Sequence, residues 1–191
     1  MSLRLTGGAL RGLRLKTPRG TAVRPTASRV REGLFSILGQ CLDGIAVLDL
    51  FAGAGTLGLE AGSRGAGSVV FVEASKKHVS VLDENVKLLA DCSSVRVLKM
   101  DVLKAIPSLA REGGRFDLVF LDPPYGKGLG RAALEALKPV ADRLLEEAST
   151  VVVESDGKEA LPPHVGDWTL KDRRRYGRTH LSFYTDRRTE P

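Results

Sequence analysis

A buried-looking run, Phe116-Asp117-Leu118-Val119-Phe120-Leu121, stops abruptly at Asp122-Pro123-Pro124-Tyr125-Gly126. Two prolines donate no backbone hydrogen bonds and fix φ, so the chain must leave a strand stiffly at this point. Such a loop holds its acceptors ready. The Asp122 carboxylate and the Pro123 carbonyl can both accept from one NH₂ group, and the Tyr125 ring can stack on a flat base. An exocyclic aromatic amine is a poor nucleophile because its lone pair is delocalised into the ring. Two acceptors on its hydrogens localise that lone pair, which is what transfer of a methyl group to nitrogen requires. Asp122, Pro123, Pro124 and Tyr125 are therefore the catalytic candidates, and the four residues alone leave the base open.

A second pattern is Asp49-Leu50-Phe51-Ala52-Gly53-Ala54-Gly55-Thr56-Leu57-Gly58, which satisfies G-x-G-x-x-G between a strand-like run and a helical one. Glycine lets the backbone turn sharply there and lets a ligand approach closely. The pattern alone does not choose a ligand. A dinucleotide would place pyrophosphate at the helix N-terminus, where free N–H groups favour an anion. Asp49 at the strand end instead suits a cation, and the ammonium of S-adenosylmethionine fits it better. Glu73 follows the next strand and can accept from both ribose hydroxyls, a role that NAD sites share. Asp101, after the third strand, can accept from an adenine amino group, with Val102 beside the ring. The expected cofactor is S-adenosylmethionine, contacted by Asp49, Phe51, Gly53, Gly55, Thr56, Glu73, Ala74, Asp101, Val102 and Asp122. Any one of these acids could equally cap a helix. Their recurrence after successive strands argues for one shared pocket.

The elements that must position these groups alternate along the chain. Ile45–Leu50, Val69–Val72, Val95–Leu98, Phe116–Leu121 and Val151–Val153 are short and rich in branched apolar residues, as strands buried on both faces are. Val79, Leu82, Val86 and Leu89 recur at helical spacing. A similar stripe over Leu129–Leu145 should break or kink at Pro139. The fold class expected is α/β, a Rossmann-like mostly parallel sheet with helices on both faces. Leu3–Thr6 and Leu13–Lys16 alternate around glycines and predict a small N-terminal β-hairpin with a basic polar face. A helix capped by Thr26 or Ser28 should carry Val30, Leu34, Ile37 and Leu38 and end at Gly39. Thr169–Tyr176 and Thr179–Tyr184 predict a C-terminal antiparallel hairpin turning at Gly177. The organisation expected is a single domain: a basic extension over 1–25, a core over 26–186 and a tail over 187–191.

The net charge of +6 over 191 residues is uneven. Residues 1–31 hold eight basic residues and no acid, residues 171–191 hold seven basic against three acidic, and the stretch between is net −6. Basic ends around an acidic body suit a polyanion, because phosphate contacts supply most sequence-independent nucleic-acid affinity. The RNA-binding candidates are Arg4, Arg11, Arg14, Arg24, Thr26, Arg29 and Arg31. Cys41 and Cys92 lack metal spacing and the three histidines are scattered, so no metal is expected. The chain starts without the layout of a secretion signal, and charges interrupt every long apolar stretch, so the expected location is the cytoplasm.

With these motifs in place the sequence resembles the RsmD-type bacterial 16S rRNA (guanine-N2) methyltransferases, within the Rossmann-like methyltransferases that use S-adenosylmethionine. The similarity rests on Arg24-Pro25-Thr26 with Arg29-Val30-Arg31-Glu32, on Asp49 to Glu60 with Ser63-Arg64-Gly65-Ala66, and on Asp122 to Tyr125. Ala54 stands where the family often has Ser, and Ser28 where Asp is frequent. The resemblance implies methylation of one guanine in ribosomal RNA, free or in a small-subunit particle. Three other readings compete: methylation of adenine N6 or cytosine N4, NAD-dependent dehydrogenation, and RNA binding without chemistry. Hydride transfer has no place for Asp122–Tyr125, and intact Asp49, Glu73 and Asp122 count against lost chemistry.

Overall fold

The computed structural model describes residues 3–18, 28–157 and 161–186. The chain forms two compact units, Met1–Met100 and Asp101–Pro191. No helix among the described residues is long and apolar enough to cross a membrane.

In the first unit, α1 (Ser28–Leu38) leads to β1 (Ala46–Asp49), α2 (Thr56–Ser63), β2 (Ser68–Val72), α3 (Lys76–Asn85) and β3 (Ser94–Leu98). The strands pair in parallel in the order β3-β2-β1. Val47, Leu48, Val69, Phe71 and Val72 are fully buried, so β1 and β2 are the two-faced strands expected, whereas β3, at the end of this order, has no buried residue. The α1 helix ends at Gly39 in the left-handed region (φ 103°), as its sequence predicts. Its buried face differs from the one expected. Val30, Arg31, Leu34 and Phe35 face inward, while Ile37 is 41 % exposed.

The N-terminal hairpin is reduced to one antiparallel bridge, Arg4 to Arg14, with backbone bonds from Leu5 N to Leu13 O and from Leu15 N to Leu3 O. Alternation holds in part: Leu3, Leu5 and Leu15 are buried and Arg4 and Arg14 exposed, but Leu13, expected on the apolar face, is 42 % exposed. Tight turns occupy Gly8–Gly12, so the pairing never lengthens into strands. What fixes this segment is a buried ionic cluster. Glu60, fully buried on α2, receives Arg31 Nε at 3.3 Å, the Thr6 amide at 2.7 Å and the Arg64 guanidinium. Arg31 also donates to the Arg4 carbonyl at 2.7 Å, and Arg64 lies over the Phe35 ring. Buried charges persist only when paired and hydrogen-bonded, as these are.

The second unit runs through α4 (Val102–Glu112), β4 (Phe116–Leu121), α5 (Leu129–Leu137), α6 (Ala141–Leu144), β5 (Leu145–Asp156), β6 (His164–Val165), β7 (Trp168–Tyr176) and β8 (Thr179–Asp186). Its strand order is β4-β5-β8-β7-β6, parallel between β4 and β5 and antiparallel beyond. Pro139 breaks the helical stripe as expected, in a 3-10 turn between α5 and α6. The C-terminal hairpin turns at Gly177 with φ 63°. The strand read at Val151–Val153 extends to twelve residues, because Leu145 also pairs with Phe116 past an irregularity.

Candidate active site

The glycine turn between β1 and α2 is held by acids on both sides. Asp49 ends β1 and is 1 % exposed; its Oδ2 accepts the Gly58 amide at 3.0 Å. The Phe51 amide bonds the same carboxyl group. Gly55, at the helix N-cap, has no side chain to satisfy the first turn of α2, and Asp49 does so from the strand end. Burial pushes the Asp49 carboxyl up from 3.8 to about 7; the two amide bonds pull it down, and the nearby Glu73 charge adds to the rise.

Glu73 follows β2. Its Oε2 accepts the Gly53 amide at 2.8 Å and its Oε1 the Ser75 amide at 2.7 Å, with His78 Nδ1 at 3.7 Å from Oε2. From below, buried Asn85 donates to the Ala54 carbonyl at 2.8 Å and exchanges bonds with the Lys16 backbone. The turn is thus fixed by three side chains, of which only Asp49 and Glu73 are legible in the motif.

The three motif glycines do different things. At Gly55 (φ 87°) a Cβ would lie 2.6 Å from Leu82 Cδ1, and at Gly58 it would lie 2.3 Å from Phe71 Cε1. Both are demanded by close packing of α2. At Gly53 (φ 56°) an added Cβ would meet nothing within 4 Å. The open space over this turn therefore lies at Gly53. Phe51 and Thr56 are half-buried beside it, and Ala74 is exposed just after Glu73.

Asp101 is the N-cap of α4, its Oδ1 accepting the Leu103 amide at 2.9 Å, and Val102 is buried at the first helical position. At the end of β4, Asp122 is half-buried, Pro123 buried and Pro124 exposed. The Tyr125 hydroxyl donates to Glu154 Oε1 at 2.8 Å, and Thr179 bonds the same hydroxyl. Burial, then the Glu154 charge, pushes the phenol above its ordinary value, so it stays protonated and can keep donating. Glu154 is 5 % exposed on β5. The sequence carried a signal for it, a lone acid closing the apolar run Val151–Val153.

Of the RNA candidates, Arg4, Arg11, Arg14 and Arg29 are exposed, and Arg24 and Thr26 lie outside the described residues. Arg31 is a correction: it is 1 % exposed and paired to Glu60, so its charge serves the cluster beneath the N-terminal segment and not the surface. No group of His, Cys, Asp and Glu suited to a metal occurs among the described residues.

Comparison with known proteins defines the class. The chain's fold matches that of "Putative methyltransferase yhhF from Escherichia coli" with a TM-score of 0.79 at 30 % identity, over 97 % of this chain and 98 % of that one. The SMU.776 methyltransferase structure, complexed with SAH, shares the fold alone, with a TM-score of 0.65 at 14 % identity over 82 % of this chain and 48 % of that one. The fold is thus the Rossmann-like one of methyltransferases. The family model described as "Conserved hypothetical protein 95" matches residues 3–185, and the chain belongs to this family, the RsmD-type methyltransferases. "Putative rRNA methyltransferase YlbH" of Bacillus subtilis (strain 168) is 36 % identical over 187 residues, covering 97 % of this chain and all of that one. "Ribosomal RNA small subunit methyltransferase D" of Escherichia coli (strain K12) is 32 % identical over 182 residues, covering 95 % and 89 %.

Proposed function

We propose that this protein transfers a methyl group from S-adenosylmethionine to the exocyclic N2 amino group of a guanine in small-subunit ribosomal RNA, acting as one methyltransferase domain in the cytoplasm. The names of the relatives support ribosomal RNA as the substrate class. The single structural observation that carries the chemistry is Tyr125, held by Glu154 at the end of the stiff Asp122-Pro123-Pro124 turn.

The residues of the first unit fit the cofactor. Asp49 and Glu73 are two acids flanking one open turn, and the α2 N-terminus already meets a carboxyl group through Gly58. A pyrophosphate there would face two acids, whereas an ammonium and two ribose hydroxyls would each find an acceptor. When bound, S-adenosylmethionine supplies an electrophilic methyl group on a sulfonium. Asp49 would hold the ammonium and Glu73 the ribose hydroxyls, with Phe51, Gly53, Gly55, Thr56 and Ala74 completing the contacts of this unit.

In the second unit, Asp122 and the Pro123 carbonyl accept from the amine and localise its lone pair, while the Tyr125 ring stacks on the base. The methylated amine would lose its proton to water after the transfer, so Asp122 acts as an acceptor and need not first deprotonate nitrogen. Exposed Arg4, Arg11, Arg14 and Arg29 hold backbone phosphates, with Arg24 and Thr26 alongside.

The test has two parts. Calorimetry should show binding of S-adenosylhomocysteine and none of NAD; the reverse would overturn the cofactor. Labelled cofactor with undermethylated small-subunit RNA, and with assembled particles, should put label on guanine N2. Label on adenine N6 or cytosine N4 would overturn the base assignment.

A further inference from the structure

The charge of the C-terminal hairpin divides into two sets. Arg173 donates to Ser182 Oγ and to the Leu161 carbonyl, and Arg174 pairs with Asp172 at 2.7 Å. These cations are engaged within the hairpin and its neighbouring chain. Arg175 and Arg178 instead line a cavity of about 290 Å³ at the turn, with His180, Gly177, Asp156 and Gly157. Arg175 Nε is steadied by the Gly177 carbonyl at 3.1 Å. No side-chain hydrogen bond or ion pair of Arg178 or His180 is found among the described residues.

The cavity lies at the ends of the strands, β5 and β8, that hold the proposed base-binding residue. The Tyr125 hydroxyl is bonded to Thr179, which sits between Arg178 and His180. Glu154, the other partner of that hydroxyl, lies two residues before Asp156 on β5. Asp156 shares a sheet face with Glu154 and Thr179 while Arg175 and His180 lie on the other, so an RNA strand whose base stacks on Tyr125 would round the turn end to meet the arginines.

We infer that the Arg175/Arg178/Asp156 cavity is a subsite for the ribose-phosphate backbone of RNA next to the target base. The inference rests on the methyltransferase reading above. Guanidinium forks match phosphate oxygens, and two of them give the cavity a positive balance despite Asp156. Asp156 supplies an acceptor, which an RNA 2′-hydroxyl can use and DNA cannot. The volume lies at the small end of ligand pockets, right for one backbone unit and too small for a duplex.

The experiment compares wild type, Arg175→Ala/Arg178→Ala and, as an exposed control on α4, Arg111→Ala. Fluorescence anisotropy with in vitro transcribed small-subunit RNA is read against salt, and steady-state methylation gives KM for RNA and kcat. The double variant should weaken RNA binding and raise KM about tenfold or more, since charge-assisted bonds are lost. Its salt slope should shrink by about 0.7 for each phosphate released. S-adenosylhomocysteine affinity and the thermal midpoint should match wild type, and Arg111→Ala should change none of these. Arg178→Glu should repeat the effect more strongly, and Asp156→Ala, which removes the acceptor, should narrow the preference for RNA over DNA of the same sequence. Unchanged KM and salt slope, or a loss confined to kcat, would overturn the subsite while leaving the methyltransferase reading intact. A wild-type protein that binds neither S-adenosylhomocysteine nor RNA would instead remove the parent reading.

Discussion

Asp49 and Gly58 are joined across the glycine turn by a 3.0 Å bond from the Gly58 amide to the Asp49 carboxyl, inside a site that leaves Asp49 1 % exposed. Strand end and helix start are thereby locked together by a group whose affinity for its proton lies near neutrality.

Under the proposed function, that proton would link pH to cofactor affinity. With the folded Asp49 carboxyl at about 7, its ionised form grows as pH rises from 6 to 8, and a bound ammonium favours that form. S-adenosylhomocysteine should bind more tightly across this window, by up to about tenfold per unit below the midpoint. Calorimetry in buffers of different ionisation heat should show proton release near pH 7. Asp49→Asn should flatten the profile and lower affinity.

Without ligand, the same group acts on stability with the opposite sign. Between its ordinary value of 3.8 and about 7 the unfolded chain releases a proton that the folded chain retains. Stability from this group is therefore highest below pH 4 and is lost as pH rises through 7. Asp49→Asn should raise the thermal midpoint at pH 8 more than at pH 5. A larger gain at pH 5 would contradict the assignment.

Glu73 ties Gly53 to Ser75 through two amide bonds. Glu73→Gln keeps one acceptor and turns an NH₂ toward the other amide, so about 1–3 kcal/mol of stability should be lost. S-adenosylhomocysteine affinity should fall at least tenfold, and NAD should still not bind.

Tyr125 separates ring from hydroxyl. Tyr125→Phe keeps a stacking face but removes the donor to Glu154, and should lower kcat by about tenfold, the value of one bond to a charged group. Tyr125→Ala should lose much more, with S-adenosylhomocysteine binding retained in both. Asp122→Ala should abolish turnover while RNA affinity stays close to wild type; loss of RNA affinity as its main effect would contradict the acceptor role.

Arg31 set against Arg11 and Arg14 tests the division between buried and surface charge. Arg31→Ala leaves Glu60 short of a partner and should destabilise by about 3–5 kcal/mol, read from chemical denaturation. Single substitutions of exposed Arg11 or Arg14 should leave stability within about 0.5 kcal/mol and act on RNA binding alone.

Local patterns explain what was legible. The apolar runs gave the strands because strands buried on both faces need little else, and the Asp-Pro-Pro and glycine patterns marked turns whose backbone chemistry is local. Charge counts along the chain place Arg31 on the surface because its partner Glu60 lies 29 residues away and such counts carry no pairing. Glu154 and Asn85 escaped for the same reason: the groups they hold, Tyr125 and Ala54, are also 29 and 31 residues distant. The exposed Ile37 and buried Phe35 show that α1 turns its face toward Arg64, which the helical period alone does not choose.

The Glu60 cluster makes the N-terminal segment a bracket and not a tether. Thr6, Arg31 and Arg64 converge on one carboxylate, and Asn85 clasps Lys16 at the far end, so Arg4, Arg11 and Arg14, the proposed RNA contacts, sit on a scaffold already set. Docking there forfeits little chain entropy, in contrast to basic arms that fold on contact. Association should therefore proceed in one kinetic phase, with a heat-capacity change set by the contact area alone.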